Sequence, residues 1–224
     1  VDASNGAGGF FASQVLEALG ADISGSIFLN PDGTFPNHVP NPENAKAMEC
    51  IKKATLENNA DLGIIFDTDV DRAATVFPSG KEINKNALIA LMASIVAQKM
   101  PGSTVVTDSV TSDQLADFLE NRLGLKHHRF KRGYRNVINE SVRLNNEGIA
   151  SGLAIETSGH GALKENYFLD DGAYMSVKIL CEVVKCKRAG KSIESMLEGL
   201  EEAAECGEFR MTIRLEEFKE YGLK

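Results

Sequence analysis

Aspartates stand at every second position of FDTDVDRAA (66–74): Asp67, Asp69 and Asp71, followed at once by Arg72. Three carboxylates this close repel one another unless they share a positive charge. The stretch before them, DLGIIF (61–66), is apolar and rich in branched residues and reads as a buried strand. The acids therefore fall at a strand's carboxyl end, where open α/β sheets bind their ligands. Oxygen-only ligation suits Mg²⁺, which keeps coordination positions for water or a substrate phosphate. Arg72 offsets the surplus negative charge or presents its planar fork to a phosphate.

Other acid-rich loops fit less well. An EF-hand starts with the same three acids but needs glycine at its sixth position and an acid at its twelfth. Arg72 and Pro78 stand there. A dehalogenase-type phosphatase has D-x-D after a strand, but with Thr or Val where Asp71 stands. A solvated acidic turn is the bland alternative.

A second polar loop, ETSGHGALKENYFLDDG (156–172), follows another apolar strand pattern. Its glycines permit close backbone approach to a ligand. Glu156 and Ser158 suit sugar hydroxyls, and His160 can donate to a phosphate or shuttle a proton. Lys164 and Asn166 add polar reach. Asp170 and Asp171 precede a helix, so capping is the plain reading for at least one of them. A basic turn, RFKRGYRNVI (129–138), gathers Arg129, Lys131, Arg132 and Arg135 around Gly133. It receives a phosphate or is a solvated turn. His38, in PDGTFPNH, reads as structural.

The elements that must position these loops alternate between strand and helix patterns. Helices are expected over 10–20, 43–58 (Asn41 as cap, Pro42 at its first position), 86–100, 112–124, 134–146, 171–189 and 192–203. Strands are expected over 25–30, 61–66, 73–78, 103–108, 126–130 and 149–156, with another from Glu208 onward. Alternation of this kind predicts largely parallel α/β sheets. The pattern looks like two successive units divided near residues 80–85.

Composition narrows the classes. Of the 224 residues, 43 % are hydrophobic and 25 % charged, ordinary values for a soluble globular chain. No apolar run approaches the ~20 residues of a membrane span. A net charge of −8 argues against a general nucleic-acid binder. Cys50, Cys181, Cys186 and Cys206 form no C-x-x-C pair and read as reduced thiols. The abrupt start at VDASNGAGG reads as a fragment or a processed chain, with the cytoplasm, or an organelle such as a plastid, as its compartment.

Four stretches in order, VDASNGAGG (1–9), PDGTFPNHVPNPE (31–43), FDTDVDR (66–72) and ETSGHGALKENYFLDDG (156–172), resemble the α-D-phosphohexomutase family of phosphoglucomutase, phosphomannomutase and phosphoglucosamine mutase. Family members have four domains, and nearly the whole chain is similar to domains two and three. The resemblance implies that the two units are three-layer α/β/α domains with mixed, mainly parallel sheets, at 1–82 and 83–205, with 206–224 as the lead into a further domain. The resemblance implies Asp67, Asp69 and Asp71 as Mg²⁺ ligands and Arg72 as a contact to the catalytic phosphoserine or transferring phosphoryl group. It implies Glu156 and Ser158 as readers of sugar hydroxyls, His160 near the reacting hydroxyl, and Lys164, Arg135 and Tyr134 as further substrate contacts. It implies a phosphorylated hexose as substrate and a hexose 1,6-bisphosphate as activator. The family's metal loop is usually D-G-D-G-D-R, but Thr68 and Val70 replace its glycines. Ile155 stands where the sugar loop usually has glycine, and Val110 where mannomutases often have lysine. Nothing resembles the family's T-A-S-H-N-P phosphoserine loop or its R-x-S-G-T-E-P phosphate loop. These residues alone are therefore expected to lack mutase turnover. A non-catalytic sugar-phosphate or metal-binding module and a Mg²⁺-dependent sugar phosphatase are the alternatives.

Overall fold

The computed structural model of the chain describes residues 1–202 together with Gly207 and Arg214. The strand expected from Glu208 and the 206–224 lead, those two residues apart, lie outside the described residues, as does Cys206. Cys50, Cys181 and Cys186 are free thiols.

The first unit is built on α1 (Ala45–Glu57) and on β1 (Gly63–Phe66), β2 (Ala73–Val76) and β3 (Glu82–Ile83), in sheet order β1-β2-β3. All three named strands pair antiparallel. The parallel part expected of this sheet is confined to bridges through Asp2, which pairs with both Ile27 and Ile65. Residues 67–72 explain the difference. They turn the chain straight back, and a short connection permits only an antiparallel neighbour. The strand expected over 25–30 is reduced to the Ile27 bridge.

β1 is buried on both faces. Ile65, with Ala74 and Val76 of β2, packs on Ala47, Met48 and Ile51 of α1. Ile64, Phe66 and Ala73 face the other way, onto Phe11 and Val70. The expected helix over 10–20 is a π-helical turn (Phe11–Leu16) followed by a 3₁₀ turn (Glu17–Leu19). The cap of α1 is Asn44, whose Oδ1 accepts from the backbone N–H of Lys46 and Ala47, rather than Asn41.

The second unit follows α2 (Lys85–Ala97). Its sheet is β4 (Thr104–Asp108), β5 (Lys126–Phe130), β6 (Ser151–Ile155) and β7 (Gly161–Leu163), joined through α3 (Asp113–Asp117) and α4 (Tyr134–Asn146) and closed by α5 (Gly172–Arg188). The order is β5-β4-β6-β7, parallel except for β7. The chain leaves β4 on one side and returns on the other. Two right-handed crossovers in opposite directions put their helices on opposite faces. Accordingly Leu115 of α3 packs with α2 and α5, while Val137 and Leu144 of α4 pack on the other face against Val106, Ala154 and Ala162. The α3 helix passes into a π-helical turn (Phe118–Arg122), and the helix expected over 192–203 is a 3₁₀ turn (Ile193–Leu197).

Helix α5 belongs to both cores. Met175, Ile179 and Val183 enter the second. Ala173, Val177 and Leu180 pack against Ile64 and Phe66 of the first.

Candidate functional site

The loop after β1 folds around Asp67. Its Oδ1 accepts from the backbone N–H of Val70 (3.0 Å) and Arg72 (3.2 Å), and its Oδ2 from Arg72 Nε (2.9 Å). Burial, with the nearby charge of Asp71, raises the Asp67 pKa. Arg72 Nε also lies 3.8 Å from Asp71, and its Nη1 donates to Asn41 Oδ1 at 3.4 Å. Asn41, taken from the sequence as a helix cap, thus serves this loop. Asp69 is exposed.

One carboxylate oxygen of each of Asp67, Asp69 and Asp71 can be grouped within 4.8 Å. Asp71 Oδ1 is buried and has no hydrogen-bond partner. An orphaned acceptor beside two further carboxylates fits a hard divalent cation, which needs such oxygens.

The second loop is laid directly against the first. Arg72 and His160 form an antiparallel bridge, and Ala73 N–H donates to Gly159 C=O at 3.3 Å. Gly159 has φ +98°, and a Cβ there would lie 2.9 Å from the Ala73 carbonyl oxygen, so only glycine fits. At the start of α5, Gly172 N–H donates to Val70 C=O (3.0 Å). Both joints tie the first unit to the second beside the acid loop.

Around His160 the second unit closes a polar frame. Its Nδ1 lies 2.8 Å from Asp170 Oδ2 and 3.6 Å from Asp71 Oδ2. Burial works to lower the His160 pKa, but the hydrogen bond and charge of Asp170 and the charge of Asp71 outweigh it, and the net shift is upward. The Tyr134 ring stacks on the imidazole at 4.8 Å, and the Arg135 guanidinium lies 5.6 Å over Tyr134. Glu156 Oε1 accepts from Gly133 N–H (2.6 Å), and Ser158 Oγ donates to Oε2 (3.3 Å). Burial raises the Glu156 pKa. Behind it, Asp108 at the end of β4 accepts from the Thr157 backbone and hydroxyl. β4 and β6 are where the strand order reverses, the crevice in which such sheets hold ligands.

Nine of the ten expected site residues meet here: Asp67, Asp69, Asp71, Arg72, Tyr134, Arg135, Glu156, Ser158 and His160. Lys164 does not. It follows β7, which runs back along β6 and carries it to the sheet's opposite end, where its Nζ donates to Asn145 Oδ1. Arg129 of the basic turn is committed to Asp113 and Ser112 beside α3. The plain capping reading holds for Asp171, whose Oδ1 accepts from Tyr174 N–H, and not for Asp170.

Known proteins resemble the chain along most of its length. Residues 1–80 match the family description "Phosphoglucomutase/phosphomannomutase, alpha/beta/alpha domain II", and residues 84–203 match "domain III". A phosphomannomutase/phosphoglucomutase of Pseudomonas putida is 31 % identical over 194 residues, covering 86 % of this chain and 40 % of that protein. A phosphoglucomutase/phosphomannomutase of Thermococcus kodakarensis is 34 % identical over 203 residues, covering 89 % of this chain and 41 % of the relative. The crystal structure of a family protein from Burkholderia thailandensis superposes with a TM-score of 0.76 at 29 % identity, over 91 % of this chain and 42 % of that one. The chain thus spans about two fifths of the length of these curated relatives. With both domain descriptions matched in order, the chain belongs to the phosphoglucomutase/phosphomannomutase family and carries its domains II and III.

Proposed function

We propose that these residues are the metal- and sugar-binding core of a phosphohexomutase that interconverts hexose 1-phosphate and hexose 6-phosphate through a phosphoserine and a bisphosphate intermediate. One observation carries the reading: the acid loop and the sugar loop are bridged backbone to backbone at Arg72 and His160. In this reading the metal-binding unit is 1–82, the sugar-binding unit 83–205, and 206–224 leads to a further domain. The compartment is cytoplasmic or that of a plastid.

Asp67, Asp69 and Asp71 would hold Mg²⁺, which when bound supplies positive charge against phosphoryl oxygens. Arg72 is held by Asp67 through Nε, so its Nη edge is aimed by a buried carboxylate toward a phosphate. Glu156 is oriented by Gly133 N–H and keeps acceptor capacity for sugar hydroxyls. His160 accepts the proton of the attacking sugar hydroxyl as that oxygen bonds to the phosphorus of the phosphoserine and the phosphorus–seryl oxygen bond breaks, the seryl oxygen leaving with the electron pair. Neither the phosphoserine loop nor the terminal phosphate loop resembles any segment of residues 1–224, so these residues bind and orient but lack a phosphoryl donor.

Titration calorimetry of Mg²⁺ into the chain tests the metal assignment. Asp69→Asn is expected to weaken binding by about tenfold or more, and unchanged affinity would overturn the assignment. A coupled assay with Mg²⁺, a hexose 1-phosphate and a hexose 1,6-bisphosphate primer tests the rest. The expected result is no 6-phosphate and no free phosphate. Robust 6-phosphate formation would reveal a donor within these residues, and free phosphate alone would favour a phosphatase.

A further inference from the structure

Two adjacent aspartates end the sugar loop, and the fold gives them different work. Asp171 caps α5. Asp170 makes no cap. Its Oδ2 meets His160 Nδ1 at 2.8 Å, and its Oδ1 accepts from Gly161 N–H at 3.1 Å. We propose that Asp170 is a positioning residue that fixes the tautomer of His160, keeping the hydrogen on Nδ1 and leaving the Nε2 lone pair as the ring's free acceptor. The proposal deepens, and rests on, the reading of His160 as the proton-handling group.

The argument is one of donors and acceptors. A carboxylate only accepts, so the ring nitrogen facing it must donate. Asp170 lies nearest to Nδ1, and the second carboxylate within reach, Asp71, lies on the same side at 3.6 Å. No described residue hydrogen-bonds Nε2. The carboxylate is itself held, because Gly161 is the ring's own neighbour and Asp170 bridges Ala162 across the loop. The ring's face is covered by Tyr134 at an interplanar angle of 19°. The hydrogen-bonded edge and the stacked face together restrict the orientation of the imidazole. A hydrogen on Nε2 would remove the acceptor that a sugar hydroxyl needs.

Nitrogen-15 NMR of the chain as it stands tests this, at a pH alkaline enough for a neutral ring. The His160 signals among the four histidines are identified by their loss in His160→Gln. The native ring is expected to carry its hydrogen on Nδ1. Asp170→Asn still accepts from Gly161 N–H but offers its amide hydrogens to Nδ1, and is expected to move the tautomer ratio toward Nε2–H by about tenfold or more. Asp171→Asn, which still caps, is expected to leave the ratio alone. A native ring protonated at Nε2 would overturn the proposal, whether or not the variants fold. So would an unchanged ratio in a folded Asp170→Asn. Neither readout uses metal, sugar or turnover, so failure here is separable from failure of the mutase reading, which the Mg²⁺ titration and the coupled assay test.

Discussion

Val70 holds φ +74° in the acid loop, a conformation that a β-branched residue rarely adopts. The turn aims its N–H at Asp67 Oδ1, while its side chain, 7 % exposed, joins the first core. The related metal loops usually place glycine here. Strain of this kind costs ~1–3 kcal/mol, and burial of a valine contributes about 1.5–3 kcal/mol. Glycine would release the strain, lose the packing and add ~0.4–1 kcal/mol of unfolded-chain freedom. Val70→Gly is therefore expected to destabilise by ~1 kcal/mol, and by no more than ~3 kcal/mol, in urea denaturation, less than an unstrained buried valine would lose. A larger loss would mean that the loop is relaxed. At this scale the alternating acids were legible because Asp67, Asp69 and Asp71 sit within one turn of chain. Asp170 was not. Its sequence context, an acid just before a helix, is also that of Asp171, and only contact with a ring ten residues earlier separates them.

Elements carry two further predictions. His127 on β5 is half-buried against Thr107 Oγ1 of β4 at 2.8 Å, and its partial burial pushes its pKa down to about 4. The neutral ring is thus preferred in the folded chain. The stabilisation is fully present above the ordinary value of 6.5 and is lost as pH falls from there through about 4. Urea midpoints taken across this window are expected to fall with pH, and His127→Gln is expected to flatten that slope. The second concerns α5. Ile179 is fully buried between α2 and the second sheet, and Ile179→Ala is expected to cost ~2–5 kcal/mol. A cost below ~1 kcal/mol would show that the site collapses around the cavity. The helices over 134–146 and 171–189 were readable from periodicity. The 10–20 and 192–203 segments came out as π and 3₁₀ turns, because periodicity reports which face is apolar and not how tightly the backbone winds.

At the scale of the molecule, α5 faces both cores and the two loops are bonded at Arg72–His160 and Ala73–Gly159. Units that share a helix cannot lose one core without exposing the other. Calorimetry is expected to show one unfolding transition, with the calorimetric and van't Hoff enthalpies equal. Two resolved transitions would mean that α5 is not a shared element. The salt link from Lys187 to Asp61, both about two thirds exposed, contributes little to this coupling.

By itself the sequence determined the candidate chemistry and most of the elements. Carboxylate spacing, glycine-rich loops and apolar periodicity are local, and local pattern survives without a fold. It also determined the family, through four motifs whose order and separation are properties of the chain. What only the tertiary structure decided is long-range. The first sheet is antiparallel because the acid loop reverses the chain, and Lys164 is lost to the site because β7 runs back along β6. His160 gained Asp170 on Nδ1 because its own loop folds back on itself, and Asp71 on the same nitrogen because two loops nearly ninety positions apart are brought edge to edge by a helix with two apolar faces. Such pairings depend on where strands end in space, and linear spacing carries no record of that.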